Sequence, residues 1–117
     1  MKVYAFDVDR TLWLSAGPVT LASIWELREA GHILGLCGNW ARVTLSYAPW
    51  GMLFSFIGPL GLSKAEFLQQ LSVYTKADEF VMVGNDKQEG ISPNDALAAH
   101  EACWRFIRED DFAAGAR

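Results

Sequence analysis

Three short apolar runs, each of which ends in polar residues, constrain the fold of this chain most. They predict strands at about residues 2–8, 33–37 and 80–84, and the segments between them carry apolar residues at helical spacing. Short strands that alternate with helices are typical of a parallel sheet with crossover helices. The sequence therefore predicts a single α/β domain over residues 1–117, with helices on both faces of the sheet.

Local signals place the other elements. The spacing of Leu21, Ile24 and Trp25 predicts a helix that ends at Gly31, and residues 63–66 (Ser-Lys-Ala-Glu) form a capping box that begins another. The remaining predictions, in chain order, are a short helix at 40–47, a short strand or apolar loop within 49–62, a helix capped by Ser92 with Pro93 at its first position, a strand at 104–107 and a solvated tail at 109–111.

Composition excludes several classes of protein. Hydrophobic residues make up 51% and charged residues 21% of the chain, which is typical of a globular domain. The net charge of −4 argues against nucleic-acid binding, and no apolar run approaches the roughly 20 residues that span a membrane. The start of the chain does not resemble a signal peptide. Cys37 and Cys103 lie in apolar segments, which favours reduced thiols in a cytoplasmic protein, although a disulfide between them stays open.

Asp7 and Asp9 follow the first predicted strand. Side chains two positions apart in a strand point the same way, so both acids would face one side if the strand continued through them. Open α/β sheets bind ligands outside the carboxyl ends of their strands. Two neighbouring carboxylates need a cation, a shared proton or hydrogen-bond donors to offset their repulsion. The pair is therefore a candidate for metal-assisted chemistry, with one acid as nucleophile and the other as proton shuttle.

The segment Phe6-Asp7-Val8-Asp9-Arg10-Thr11-Leu12 resembles the first motif, DxDxT, of the haloacid dehalogenase (HAD) superfamily. Most members are Mg²⁺-dependent phosphatases that form an aspartyl-phosphate, and Leu12-Trp13 is similar to its small magnesium-dependent phosphatases. The resemblance implies a Rossmann-like fold, Asp7 as nucleophile and Mg²⁺ ligand, and Asp9 as general acid and then base, with its backbone carbonyl on the metal. It also implies that Lys64, 21 positions before Asn85, neutralises the phosphate and the nucleophile.

The second motif of the superfamily places a Ser or Thr hydroxyl on a phosphate oxygen, at the position of Cys37 here. A thiol is a weaker donor than a hydroxyl, and Cys37 is equally well interpreted as a packed core thiol. The backbone N–H groups of Gly38 and Asn39 remain candidates for cradling the phosphate. Arg10 is a further departure, because many members have Gly there.

The segment Val83-Gly84-Asn85-Asp86 resembles the metal-binding motif GDxxxD in a less common GND form. It implies Asp86 as a metal ligand, with Asn85 as the alternate. The second acid expected at position 90 or 91 is missing, since Gly90 and Ile91 stand there. Glu89 is one position early, and Asp95 fits only with an insertion; the favoured alternative makes Asp95 a capping-box acid for Ser92.

The sequence thus predicts a Mg²⁺-dependent phosphomonoester hydrolase without a sizeable cap domain. An open site suits a phosphorylated macromolecule or a phosphorylated small molecule enclosed by a neighbouring subunit, and the apolar stretch at 50–62 indicates a possible homo-oligomer contact. The alternative is a catalytically weak or inactive HAD-like protein that binds a metal or a phosphorylated ligand. A phospho-accepting regulatory domain is disfavoured, because such domains usually carry the acceptor on a central later strand.

Overall fold

A five-stranded, all-parallel sheet forms the centre of the protein in a computed structural model that describes residues 1–86 and 94–117. The strands are β1 Lys2–Phe6, β2 Ile33–Cys37, β3 Phe56–Gly58, β4 Glu79–Gly84 and β5 Arg105–Arg108. Their order across the sheet is β3-β2-β1-β4-β5, and every neighbouring pair is parallel. The predicted α/β class with a parallel sheet is confirmed.

In the described residues, six helices connect or follow the strands. They are α1 Leu21–Glu29, α2 Ala41–Thr44, α3 Trp50–Leu53, α4 Lys64–Tyr74, α5 Asp95–Glu101 and α6 Glu109–Ala113, with a 3₁₀ turn at Trp13–Ser15. In the described part of the chain, no helix is both long and apolar enough to cross a membrane.

The two faces of the sheet bury separate apolar clusters because strand side chains alternate. From β1, Tyr4 and Phe6 enter one cluster, while Val3 and Ala5 enter the other. Helices α1, α2, α3 and α6 contribute buried side chains to the first cluster, and α4 and α5 contribute to the second. Helices therefore cover both faces, as the sequence predicts.

Two predicted helix boundaries are confirmed by their capping geometry. The Ser63 hydroxyl accepts a hydrogen bond from the Glu66 N–H at 3.1 Å, and the Glu66 carboxylate accepts one from the Ser63 N–H at 3.4 Å. At the end of α1, Gly31 has a φ of 90°, a conformation that glycine adopts without steric cost. Both signals are local, which is why the sequence alone identified them.

Several predicted boundaries are wrong. Strand β1 ends at Phe6 rather than at residue 8, and the apolar stretch at 49–62 contains helix α3 as well as the edge strand β3. Helix α5 is capped by Asn94, whose side chain accepts a hydrogen bond from the Leu97 N–H at 2.7 Å. The predicted cap residues 92 and 93 lie outside the described residues.

Residues 109–111 are exposed at Asp110 and Asp111, as the predicted solvated segment requires, but they form the first turn of α6 rather than a tail. Phe112 is fully buried and packs its ring edge-on against Phe6, which fixes the helix on the sheet. Acidic side chains in a first turn interact favourably with the positive end of the helix dipole. The acidic run thus begins a packed helix.

Candidate active site

The site lies at the point where the strand order of the sheet reverses. From β1 the chain proceeds through β2 and β3 to one edge, and then returns to β4 on the other side of β1. In open α/β sheets, such a switch point between two strands opens a crevice at their carboxyl ends. Asp7 follows β1 and Asn85 follows β4, and the Asp7 N–H donates to the Val83 carbonyl at 2.9 Å. The first acid of the DxDxT segment therefore stands at this crevice.

Asp7 is buried, with 6% of its surface exposed, and both of its carboxylate oxygens have donors. Oδ1 accepts from Lys64 Nζ at 3.0 Å. Oδ2 accepts from Thr11 Oγ1 at 3.3 Å and from Asn85 Nδ2 at 3.4 Å. These donors come from the loop after β1, from the start of α4 and from the end of β4, so three segments fix the Asp7 carboxylate.

Lys64 links Asp7 to a second buried acid. It is the first residue of α4, directly after the capping residue Ser63, and its Nζ lies 2.6 Å from Asp95 Oδ1. The other Asp95 oxygen accepts from the Asn85 N–H at 3.0 Å. The favoured interpretation of Asp95 as a capping-box acid is therefore wrong, because its carboxylate is turned to the site.

The pKa values of this pair follow from burial and charge. Burial by itself would lower the pKa of Lys64, but the carboxylates of Asp7 and Asp95 outweigh it and raise that pKa. Burial, reinforced by the charge of Asp7, raises the pKa of Asp95 to about 6, although Lys64 opposes this shift. At neutral pH and above, two buried carboxylates share one ammonium, which leaves one negative charge in excess at the crevice.

Asp9 occupies a different environment from Asp7. The strand ends at Phe6, and Arg10 turns the chain with a φ of 58°, so the alternation assumed for the two acids does not hold. The Asp9 side chain is 49% exposed, with Oδ1 at 3.4 Å from Arg42 Nε. Its Oδ2 accepts from Asn39 Nδ2 at 3.3 Å. Sequence reasoning missed Arg42, because its pairing with Asp9 depends on how α2 follows β2 and no local pattern shows it.

The segment after β2 approaches Asp7 closely. A Cβ on Gly38 would lie only 2.3 Å from Asp7 Oδ1, so this position requires glycine. The Gly38 N–H donates to the Gly58 carbonyl at 2.9 Å and is used in the sheet, which argues against its predicted role in cradling phosphate. Cys37 is fully buried, and burial raises the pKa of its thiol to about 12. The structure favours the interpretation of Cys37 as a core thiol.

The predicted metal ligands are not gathered into an acidic cluster. Among the described residues, no group of three His, Cys, Asp or Glu side chains is placed to hold a metal ion. Asp86 is exposed, and the hydrogen bond to Asp7 comes from Asn85 beside it. The candidate acid Glu89 and the departure at Gly90 lie outside the described residues.

The side-chain oxygens near Asp7 nevertheless fit a Mg²⁺ ion that is held by few protein ligands. Mg²⁺ is commonly bound through one or two carboxylates and keeps several waters. Rotation of the Asn85 amide would place its oxygen beside Asp7 Oδ2, where its nitrogen now lies. Asp7 and Asn85 would then hold the ion, next to the excess negative charge of the crevice.

Comparisons with known proteins do not assign a family to the chain. No protein-family model, no curated protein and no solved structure matches it. The functional interpretation therefore depends on the residues of the site and their contacts.

Proposed function

We propose that the protein is a Mg²⁺-dependent phosphomonoester hydrolase of the HAD type, acting through an aspartyl-phosphate on Asp7. The observation that carries the proposal is the buried Asp7 carboxylate, held by Lys64 at the switch point of a parallel sheet. A carboxylate that is buried and held in one orientation by three hydrogen-bond donors is typical of a nucleophile. The resemblance of residues 6–12 to the DxDxT motif supports the same role.

In the proposed reaction, one Asp7 oxygen attacks the phosphorus and the bond from phosphorus to the ester oxygen breaks. Asp9 gives its proton to the departing alcohol. Asp9 then takes a proton from water, which attacks the phosphorus, so that inorganic phosphate leaves and Asp7 is restored. Lys64 offsets charge on the nucleophile and the phosphoryl oxygens. Magnesium, held by Asp7 and Asn85 when bound, would supply further positive charge at those oxygens.

The connections around the crevice support an open site without a sizeable cap. Between β1 and α1 the structure has only a 3₁₀ turn, and between β2 and β3 only the short helices α2 and α3. The substrate is accordingly a phosphorylated macromolecule or a phosphorylated small molecule. Cytoplasmic location and a homo-oligomer stay predictions; Met52 and Leu60, within the stretch 50–62, are 71% and 64% exposed.

The decisive experiment is Asp7→Asn, assayed on p-nitrophenyl phosphate with Mg²⁺ and after EDTA treatment. We expect the substitution to abolish turnover while circular dichroism shows an intact fold, because the amide keeps the shape of the carboxylate but is a poor nucleophile. Asp111→Asn, on the exposed side of α6, is the matched control and should retain full activity. Turnover at the parental rate in Asp7→Asn contradicts the proposal.

The alternative is a protein of the same type that binds Mg²⁺ or a phosphorylated ligand without turning it over. Two observations favour it: an amide rather than an acid reaches Asp7 from β4, and Cys37 is buried where a phosphate-binding hydroxyl is expected. Thermal melting with and without MgCl₂, beside the phosphatase assay, separates the two. Stabilisation by Mg²⁺ without hydrolysis supports the alternative.

A further inference from the structure

The Arg42 guanidinium lies beside the proposed general acid, and among residues 1–86 and 94–117 most of its N–H donors have no partner. Its Nε lies 3.4 Å from Asp9 Oδ1, and its side chain is 57% exposed. A guanidinium carries five N–H donors in a planar fork. In the part of the chain that the structure describes, Asp9 is its only charged partner, so the two terminal nitrogens are open to a ligand.

A short chain of contacts fixes this guanidinium at the edge of the crevice. Gly38 lies against the Asp7 carboxylate, and Asn39, next in sequence, donates its amide hydrogen to Asp9. The Arg42 N–H in turn donates to the Asn39 carbonyl at 3.2 Å. The backbone that carries Arg42 therefore follows directly on the residue beside the proposed nucleophile. Because Asp9 would protonate the leaving oxygen in the proposed function, the guanidinium beside Asp9 would lie near the leaving group.

The charge of the site shows why a second cation matters. Lys64 is shared between two buried carboxylates, and in the proposed function it also offsets the charge of the reacting phosphate. The chain has a net charge of −4, so a ligand with a further negative group needs a local cation to offset repulsion. Arg42 already contacts one carboxylate, that of Asp9, and an arginine fork matches the geometry of another.

We propose that Arg42 binds a carboxylate of the substrate next to the phosphate that Asp7 attacks. The substrates would then be small phosphorylated carboxylic acids rather than phosphate esters of neutral alcohols. This inference rests on the proposed function for the position of the phosphate, and it assigns Arg42 to substrate recognition rather than to bond breaking.

The test measures binding of phosphonates, whose carbon–phosphorus bond is not hydrolysed, by calorimetry at fixed Mg²⁺. Methylphosphonate carries no carboxylate, whereas phosphonoacetate and 3-phosphonopropionate carry one at two different distances. Because an arginine fork forms strong charge-assisted hydrogen bonds with a carboxylate, we expect at least one carboxylated ligand to bind ten or more times more tightly than methylphosphonate.

The variants identify the residue responsible for this preference. Arg42→Ala should bind all three phosphonates equally, and Arg42→Lys should keep only part of the preference because it loses the planar fork. Arg28→Ala is the matched control: Arg28 is also exposed, and its Nε bonds the Met52 carbonyl on the α1–α3 side of the protein, so the preference should persist.

Equal binding of the three phosphonates by the parent protein overturns the inference, as does a preference that survives in Arg42→Ala. These results are distinct from failure of the proposed function. Hydrolysis of p-nitrophenyl phosphate without any preference refutes the role of Arg42 alone. A preference lost in Arg42→Ala, in a protein that hydrolyses nothing, supports the role of Arg42 in a ligand-binding site.

Discussion

Replacing Lys64 with methionine tests the electrostatic balance of the site most directly. The substitution keeps a long side chain at the start of α4 but removes the ammonium that Asp7 and Asp95 share. The side chains of Asp7 and Asp95 are only 8% and 3% exposed, so water can do little to stabilise their negative charges once the ammonium is gone. The variant is left with two neighbouring buried carboxylates and no cation between them.

The expected cost follows from that burial. Breaking a buried ion pair by removing one partner costs about 3–5 kcal/mol. The Lys64 side chain is 21% exposed, which admits some solvent to the gap and places the cost near the lower end, at about 3 kcal/mol. For a domain of this length, that corresponds to a fall in melting temperature of roughly 12 °C.

The loss should also depend on pH. Without Lys64, the charge that opposes the raised pKa of Asp95 is gone and that pKa rises further, so the folded variant binds more protons than the unfolded chain. Stability then increases as the pH falls. In the parent the pKa of Asp95 is already raised, from 3.8 to about 6, so the same trend is present in weaker form below pH 6. The deficit of the variant should therefore be larger at pH 8 than at pH 5.

Urea denaturation followed by tryptophan fluorescence at the two pH values measures this deficit. Lys76→Met is the matched control, because Lys76 is exposed in the loop after α4 and its loss should change stability by less than about 0.5 kcal/mol. The double variant Lys64→Met/Asp95→Asn also removes one of the two unpaired buried carboxylates, so it should recover part of the lost stability. A Lys64→Met protein as stable as the parent at pH 8, or one with a deficit that grows on acidification, refutes the reasoning.

Three further predictions concern the walls of the crevice. Gly38→Ala should cost about 1–3 kcal/mol in thermal melts, because its methyl group would collide with the Asp7 carboxylate, whereas Gly51→Ala, where a Cβ meets nothing within 4 Å, should not destabilise. Iodoacetamide at pH 8 should label the exposed Cys103 and leave Cys37 unmodified until urea is added, since burial raises the pKa of Cys37 to about 12; mass spectrometry of the peptides decides. Asn85→Asp should lower the melting temperature in EDTA, because it places a second carboxylate beside Asp7 Oδ2. For the same reason MgCl₂ should raise the melting temperature of this variant more than that of the parent.

The sequence predicted the elements whose signals are local. The apolar runs gave β1, β2 and β4, and the capping box placed Lys64 at the start of α4, where it meets the Asp7 carboxylate. Helix α3 was missed because four residues between Pro49 and an edge strand show no helical period. Helix α6 was missed because three acidic residues in a row indicate solvent exposure. A single buried side chain, that of Phe112, packs this helix against the core, and one apolar residue shows no helical period.

The site itself was only partly predictable, because its contacts join distant segments. For Asp95 the sequence favours a helix-capping role over a role in the site. The reason is that Lys64 and the Asn85 N–H, which both donate to its carboxylate, are far from it along the chain or follow a different element. The pairing of Arg42 with Asp9 depends on how α2 follows β2, which no local pattern encodes. The resemblance thus implied the contact of Lys64 with Asp7, whereas the partners of Asp95 and Asp9 were not predictable.

The different surroundings of Asp7 and Asp9 make their proposed roles non-interchangeable. A nucleophile must be held in a fixed direction, and Asp7 is buried with donors on both oxygens. A general acid that becomes a base must exchange protons with a leaving group and with water, and Asp9 is half-exposed, held by one arginine and one amide at the edge of the crevice. The end of β1 at Phe6 separates the two environments: had the strand continued, both acids would face the same side of the sheet. The same break in the strand accompanies the pairing of Asp9 with Arg42, so the proposed proton shuttle and the proposed carboxylate-binding residue lie side by side.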